Sequence, residues 1–489
     1  METPGITPRS THRDGLWLAA LALGLVAAKA ALTHAAGVEL HYDEAQYWEW
    51  SQQLDWSYYS KGPLVAWLIA LSEAVFGHGE WQVRLPAWLA HGALLAVVFH
   101  FAGDVWQSRA AAWWAVWLTL FTPLYFTLGL VMTTDIWLFL CWTWGLWASY
   151  RALIFERPRA WFEVGAAVGL GALTKLSIGL LPAAVGIAVL LHPRWRAQLK
   201  LPQLWGGLLL MLVIMSPLLA WNAAHDWVMF RHEGGHVGDA DWSAARVLIF
   251  LLEQTIALSP LVVLIALGVL WRPPHQTGPR LLWGLSLAWI GFFIFKAFSD
   301  KVQVNWPAAS YIGLLILFAG HIPALARWQR RALFGGFALA AALMFAAYFP
   351  YALGLHQDPF KDTKAWRAPV MALSAQTPPA QFILTPNYKL AAEIAFYWPE
   401  NLPVYVAGNS ARRYNQHDLW PSIAREAGRD GLWVSTSPEA PPELVRAFAQ
   451  CTPLTSMPAL AADGATLRTL YARHCREYRV IVWPRPGSY

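Results

Sequence analysis

Apolar residues along this chain of 489 fall into blocks of about 17–25, separated by short polar stretches. A block of that length, wound as a helix, covers the roughly 30 Å hydrocarbon core of a bilayer. The pattern predicts spans near residues 16–36, 83–102, 110–128, 132–150, 161–175, 177–191, 204–221, 246–270, 281–297, 304–320 and 332–353, about eleven in all. Beyond residue 354 no apolar run is long enough to cross. There the runs shorten: those at 381–384, 404–406, 432–434 and 478–483 predict strands, and 388–398 and 442–449 predict helices. The expected architecture is an α-helical polytopic membrane protein over residues 1–355, followed by a small soluble α/β domain over 356–489. Neither an internal repeat nor the inverted repeat of a secondary transporter is visible.

Composition sharpens this picture. Hydrophobic residues make up 57% of the chain and charged residues only 13%, against roughly a quarter charged in soluble proteins. Many of the 31 tryptophans sit near block ends, where amphipathic rings favour headgroup depth. The net charge of +6 does not predict a nucleic-acid partner, because the basic residues are scattered among loops. Their distribution instead alternates. Arg9, Arg13, Arg109, Arg151, Arg157, Arg159, Arg194, Arg196, Lys200, Arg272, Arg280, Arg327, Arg330 and Arg331 fall on one side of the predicted spans, which the positive-inside rule makes the cytoplasm. The loops at 37–82, 222–245 and 298–303, and everything after about residue 354, then face the periplasm. The first block lacks a small-residue cleavage motif and is read as a retained helix with a cytoplasmic N-terminus. Of the three cysteines, Cys141 lies in an apolar block. Cys451 and Cys475 lie in the polar region, and sequence leaves open whether they approach each other.

The first predicted periplasmic loop, 37–82, is too polar to span yet crowded with aromatics. Its segment His41-Tyr42-Asp43-Glu44-Ala45-Gln46-Tyr47-Trp48-Glu49-Trp50-Ser51 predicts an interfacial helix. At about 100° per residue, Asp43, Tyr47, Trp50 and Leu54 share a face while Glu44 turns to the flank, so the two acids do not form a dyad. Capping offers one account of them: Asp43 at the helix N-terminus, Glu44 complementing the dipole. Catalysis offers the other.

Three elements of this loop favour the second account. Asp43-Glu44, Lys61-Gly62-Pro63-Leu64 and Arg84-Leu85-Pro86 follow one another in order. In this the chain resembles the GT-C glycosyltransferases that include protein O-mannosyltransferases and lipid A aminoarabinose transferases, in which an Asp-Glu pair opens the first periplasmic loop and Lys-Pro-Pro-Leu and Arg-Leu-Pro segments follow. Thr133-Thr134-Asp135 resembles the second acidic motif of that family, and Leu173-Thr174-Lys175 its next Lys segment. Trp221-Asn222, Asn305-Trp306-Pro307, Ala395-Phe396-Tyr397 and the 415–420 stretch extend the likeness.

The resemblance implies a GT-C fold and transfer of a sugar, usually with inversion, from a polyprenyl (undecaprenyl) monophosphate carrier to a periplasmic lipid, glycan or protein acceptor. Asp43, with Glu44 and Asp135, would form the catalytic acids. Lys61, Arg84, Lys175, Arg231 and Lys301 would hold the donor phosphate, since cations at the bilayer surface offset the charge of the leaving group. Each has a plainer account: Asp135 capping a helix through Thr133 or Thr134, and the basic residues snorkelling to lipid headgroups. His225, His232 and His236 flank Glu233 in one loop, but their spacing fits no standard zinc motif. Family members with Glu before the first-loop Lys have a candidate metal ligand there, and this chain has Ser60. No cofactor is expected, and a divalent metal is not favoured. Lys29 and Lys296, in or near apolar spans, are expected to face protein or an interface. A transporter or flippase of a lipid-linked sugar, or a membrane scaffold, is the competing class. A transporter predicts charge near mid-span, whereas most charge here sits at predicted periplasmic ends.

Overall fold

The computed structural model describes residues 12–234, 242–407 and 414–484. Arg9 and His236 lie outside them. Each predicted apolar interval carries helix, but not always one unbroken helix. His12–Ala35, Glu80–Trp106, Pro202–Ala224, Thr277–Ser299 and Arg327–Tyr348 are, among the described residues, the five long and apolar enough to cross a membrane. The interval expected as a single span at 246–270 is two helices, Ala244–Ala257 and Pro260–Leu270, bent by 104°. The cause is local: Pro260 has no N–H to continue the first helix, and Ser259 before it has φ +76°. If that pair counts as one span, the total is six. Another expected span, 110–128, breaks at Thr122, with Pro123 starting the short helix Pro123–Leu128.

The polar C-terminal part builds a five-stranded mixed sheet from β1 (Phe382–Thr385), β2 (Val404–Val406), β3 (Gly431–Ser435), β4 (Phe448–Leu460) and β5 (Thr466–Tyr478), ordered β2-β1-β3-β5-β4. β1 runs parallel to β2 and β3, and β5 is antiparallel to β3 and β4. The strand expected at 478–483 is corrected: β5 ends at Tyr478. The pairing that completes the sheet is the β4–β5 hairpin, which contains the directly opposed pair Cys451 and Cys475, joined as a disulfide with Cα atoms 4.1 Å apart.

This part is fastened to the first loop. Helix Tyr388–Tyr397 packs on helix Tyr42–Ser51, and the Tyr397 hydroxyl accepts from Leu40 N (2.9 Å) and donates to Glu80 Oε1 (2.7 Å). Arg367 reaches Glu80 at 2.8 Å, and Tyr59 N donates to Gln416 Oε1 at 2.7 Å. The loop helix is thus held between the long helices and the sheet. It carries the first acidic motif.

Candidate active site

Helix Tyr42–Ser51 is capped by His41, not by Asp43 as the capping account expected: His41 Nδ1 accepts from Asp43 N at 3.3 Å. Glu44 completes the box by accepting from His41 N at 3.1 Å. Leu54, expected on the helix face with Asp43, lies beyond the helix and is exposed.

The two adjacent acids part company here. Glu44 is fully buried, its Oε1 accepting from Arg84 Nε (2.9 Å) and Met132 N (2.8 Å) and its Oε2 from Arg84 Nη2 (2.7 Å). Arg84, equally buried, gives its remaining bonds to Val38 O (2.8 Å) and Glu39 O (2.7 Å). A guanidinium has five N–H donors, and four are taken by protein acceptors. As the structure stands, Arg84 offers no open face to a donor phosphate and Glu44 none to an acceptor. Together they clamp the start of the loop to helix Glu80–Trp106 and to the turn before helix Thr134–Leu153.

Asp43, turned about 100° from Glu44 on the same helix, keeps 41% of its side chain accessible. His41 Nδ1 is 3.6 Å from its Oδ2. Enclosure by protein pushes the Asp43 carboxyl above its ordinary range, an effect opposed by His41, Lys389 and Lys61 and reinforced by Asp135. Lys389 comes from helix Tyr388–Tyr397, with Nζ 4.1 Å from the centre of the Tyr42 ring.

Two ion pairs complete the cluster. Asp135, whose N–H is capped by Thr133 Oγ1 (3.3 Å), takes Lys175 Nζ on Oδ1 (3.0 Å) and Asn305 Nδ2 on Oδ2 (2.8 Å). Lys61 Nζ lies 2.5 Å from Glu233 Oε1. Burial pushes the Glu233 carboxyl up, but Lys61, Lys175 and His232 together more than offset it and hold it below the usual range. Glu233 is carried by helix Val228–Gly234, whose His232 Nδ1 meets the Tyr59 hydroxyl at 2.9 Å. The Lys61 and Lys175 segments touch directly: Leu64 N donates to Leu173 O at 3.0 Å, and a Cβ on Gly62 would sit 2.3 Å from that same oxygen. Glycine at 62 therefore lets the two lysine segments close on each other.

Residues 60–221 match the dolichyl-phosphate-mannose-protein mannosyltransferase family. A lipid A galacturonosyltransferase from Rhizobium johnstonii is 27% identical over 313 residues, covering 62% of this chain and 64% of that protein. An undecaprenyl phosphate-alpha-4-amino-4-deoxy-L-arabinose arabinosyl transferase from Pseudomonas savastanoi pv. phaseolicola is 27% identical over 200 residues, 37% of this chain and 36% of its own. The crystal structure of ArnT from Cupriavidus metallidurans bound to undecaprenyl phosphate superposes with a TM-score of 0.66 at 18% identity, covering 94% of this chain and 97% of that one. The chain has the fold of that enzyme.

The chain matches these two sequence relatives over less than two thirds of their own length. The family match contains Lys61, Arg84, Asp135 and Lys175, and leaves Asp43, Glu44, Arg231 and Lys301 outside it. Of these expected site residues, the structure brings Asp43, Lys61, Asp135 and Lys175 into one electrostatic cluster. It sets Glu44 and Arg84 behind that cluster as a closed pair. Arg231 and Lys301 are exposed and have no ion-pair partner among the described residues. Glu233, Asn305 and Lys389 join the cluster although no role was read for them in sequence. Lys29 faces protein, bonded to His91 Nδ1 (2.7 Å) and Gly129 O. Among the described residues no group of three or more His, Cys, Asp and Glu side chains is arranged to hold a metal ion.

Lys61 has 18% of its side chain accessible and a carboxylate as its present partner. A phosphate that displaces Glu233 regains a charge-assisted bond for the lysine. Lys61→Met is expected to weaken binding of an alkyl phosphate by about tenfold or more, the scale of one charged hydrogen bond. Titration of the purified protein with an alkyl phosphate checks this, and unchanged affinity removes Lys61 from a phosphate site.

Proposed function

We propose that this chain is an inverting glycosyltransferase of the bacterial inner membrane. It moves a sugar from an undecaprenyl monophosphate carrier to a periplasmic acceptor. A lipid A-type glycolipid is the acceptor that the named activity of the galacturonosyltransferase relative supports, ahead of other glycans and proteins. The observation that carries this reading is the accessible Asp43 carboxylate, enclosed by protein beside Lys61 and the Asp135–Lys175 pair.

The sugar's anomeric carbon is attacked by an acceptor oxygen on the face opposite the carrier phosphate. The C–O bond to phosphate breaks, and its electron pair leaves with undecaprenyl phosphate. An acceptor hydroxyl passes its proton to Asp43, whereas an already ionised acceptor phosphate needs only to be oriented by it. Lys61 leaves Glu233 for the departing phosphate, with Lys175 nearby and the exposed Arg231 and Lys301 as further contacts. Glu44 and Arg84 hold the loop that presents Asp43.

The reading includes eleven spans, with shorter helices and helix pairs filling the intervals that lack a long one, and division into a membrane part, 1–355, and a periplasmic α/β part, 356–489. Alternating basic loops support the sidedness. The Cys451–Cys475 disulfide supports it independently, because such bonds persist in the oxidising periplasm. A lipid-linked sugar transporter gains no support from Lys29, the charge buried in the first long helix, because His91 and Gly129 hold it in place.

Purified protein mixed with a panel of undecaprenyl-phosphate sugars and lipid A is expected to yield glycosylated lipid A and free undecaprenyl phosphate with at least one donor. No transfer from any of them to lipid A, glycans or proteins would sink the reading. A phosphatase reporter fused after residue 489 should be active in the periplasm. Activity of a cytoplasmic reporter at that point would overturn the proposed sidedness.

A further inference from the structure

A concave site opens where the C-terminal end of helix Tyr42–Ser51 meets the β2 edge of the sheet. It encloses about 630 Å³, within the roughly 300–1,000 Å³ of small-molecule sites. None of the acids and lysines of the Asp43 cluster lines it. Glu49 and His417 lie deep in its wall, with Glu49 Oε2 3.3 Å from His417 Nε2 and their side chains only 10% and 7% accessible. His417 Nε2 is itself closed off from solvent and makes no hydrogen bond at that approach, so Glu49, not the imidazole, is the charged group left to meet a ligand. Trp48 and Trp420 supply indole surface, and the exposed Gln53 and Asn401 bring amides to the rim.

These groups select among ligand classes. Indole faces cover the C–H faces of pyranose rings, while carboxylate and amide groups exchange hydrogen bonds with ring hydroxyls. A lipid tail would desolvate the exposed Gln53 and Asn401 amides at the rim without replacing their hydrogen bonds, at a cost that disfavours it. We infer that this cleft is a saccharide-binding subsite for the glycan part of the acceptor, an inference that rests on the glycolipid acceptor proposed above. Its position suits that role. Glu49 is six residues after Asp43 on one helix, about 9 Å of rise and about 240° of rotation. The cleft therefore grips the acceptor away from the reacting oxygen, and helix Tyr42–Ser51 connects this grip to the catalytic acid. Binding energy from such a remote part of a substrate can be used to position the reacting group.

The test uses full-length protein in detergent and deacylated lipid A saccharide as the probe, with binding read by saturation-transfer NMR and titration calorimetry. Trp420→Ala and Glu49→Gln are expected to weaken binding by about tenfold or more. In transfer assays the same two variants should raise the acceptor KM by a similar factor and leave the donor KM in place. The Trp420 ring lies 5.2 Å from that of His417; if its removal unfolds the sheet, Trp420→Phe and the rim variant Asn401→Ala serve instead. Failure of the unaltered protein to bind the saccharide, or equal affinity in all cleft variants, overturns the inference. Saccharide binding that the cleft variants lose, in a protein that transfers no sugar, would keep the cleft and reject the transferase reading.

Discussion

Asp43→Asn is expected to lower sugar transfer to a hydroxyl acceptor by about 10²- to 10⁴-fold, the usual contribution of a positioned general base. The substitution is nearly isosteric and removes only the charge. Folding should survive it, because the helix cap rests on the His41 side chain and the Asp43 backbone N–H, and the burden of holding the loop falls on Glu44. The pH profile adds an independent readout. A base must be deprotonated to accept the acceptor's proton, so kcat/KM rises with pH through the Asp43 pKa. Enclosure by protein raises that pKa, and the acid limb should therefore lie above the value of about 3.9 for an ordinary aspartate. Full activity in Asp43→Asn would remove Asp43 from the mechanism. Loss of activity without any acid limb would recast it as a group that orients an ionised acceptor.

Stability, not turnover, should be the first casualty at the neighbouring acid. Arg84→Met leaves Glu44 buried with a charge that only Met132 N and His41 N still meet. Glu44→Leu strands the Arg84 guanidinium between two backbone carbonyls. Breaking one side of a buried pair typically costs about 3–5 kcal/mol, because the remaining charge stays desolvated and uncompensated. Each single variant is expected to melt well below the unaltered protein in detergent. The double variant should recover a large part of the loss, since replacing both charges with apolar groups removes the desolvation penalty. Thermal unfolding of the three variants decides it. If Arg84→Met folds normally and loses affinity only for the lipid donor, Arg84 is a phosphate ligand after all, as the Arg-Leu-Pro motif implied.

The acids also mark how far sequence could go. Helical geometry separated Asp43 from Glu44 by about 100°, enough to reject a face-to-face dyad. It could not say which of them turns inward. That was decided by Arg84, forty residues on, whose four bonds make the interior tolerable for Glu44 and leave Asp43 to the accessible side. The lysines repeat the lesson. Lys61 and Lys175 were legible from motif order, but their partners were not: Glu233 lies 172 positions from Lys61. Asn305 is 170 from Asp135. Lys389 reaches Tyr42 from the C-terminal part and has no distinguishing signal of its own.

Local chemistry was enough for elements whose determinants lie within a few residues. Apolar blocks of bilayer length located the helical intervals, and dense aromatics around two acids located helix Tyr42–Ser51. Short β-branched and aromatic runs located β1, β2 and β3: β1 and β3 lie inside the sheet and are buried, and β2, an edge strand, is the unbroken run Val404-Tyr405-Val406. β4 escaped notice because it is an edge strand with Pro453 and Pro458 in it and register shifts at 453/455 and 459/460. An edge tolerates proline, since half its N–H groups need no partner, so the usual strand signal is absent. The 104° bend at Ser259 was foreseeable from Pro260 alone, but its direction depends on packing. The sequence by itself thus determined which segments are helical, which loop carries the acids and the order of the basic motifs. Only the tertiary structure decided which charges are spent on each other and which stay accessible. Desolvation is the reason: a charge's role depends on its distance to partners that chain order does not reveal.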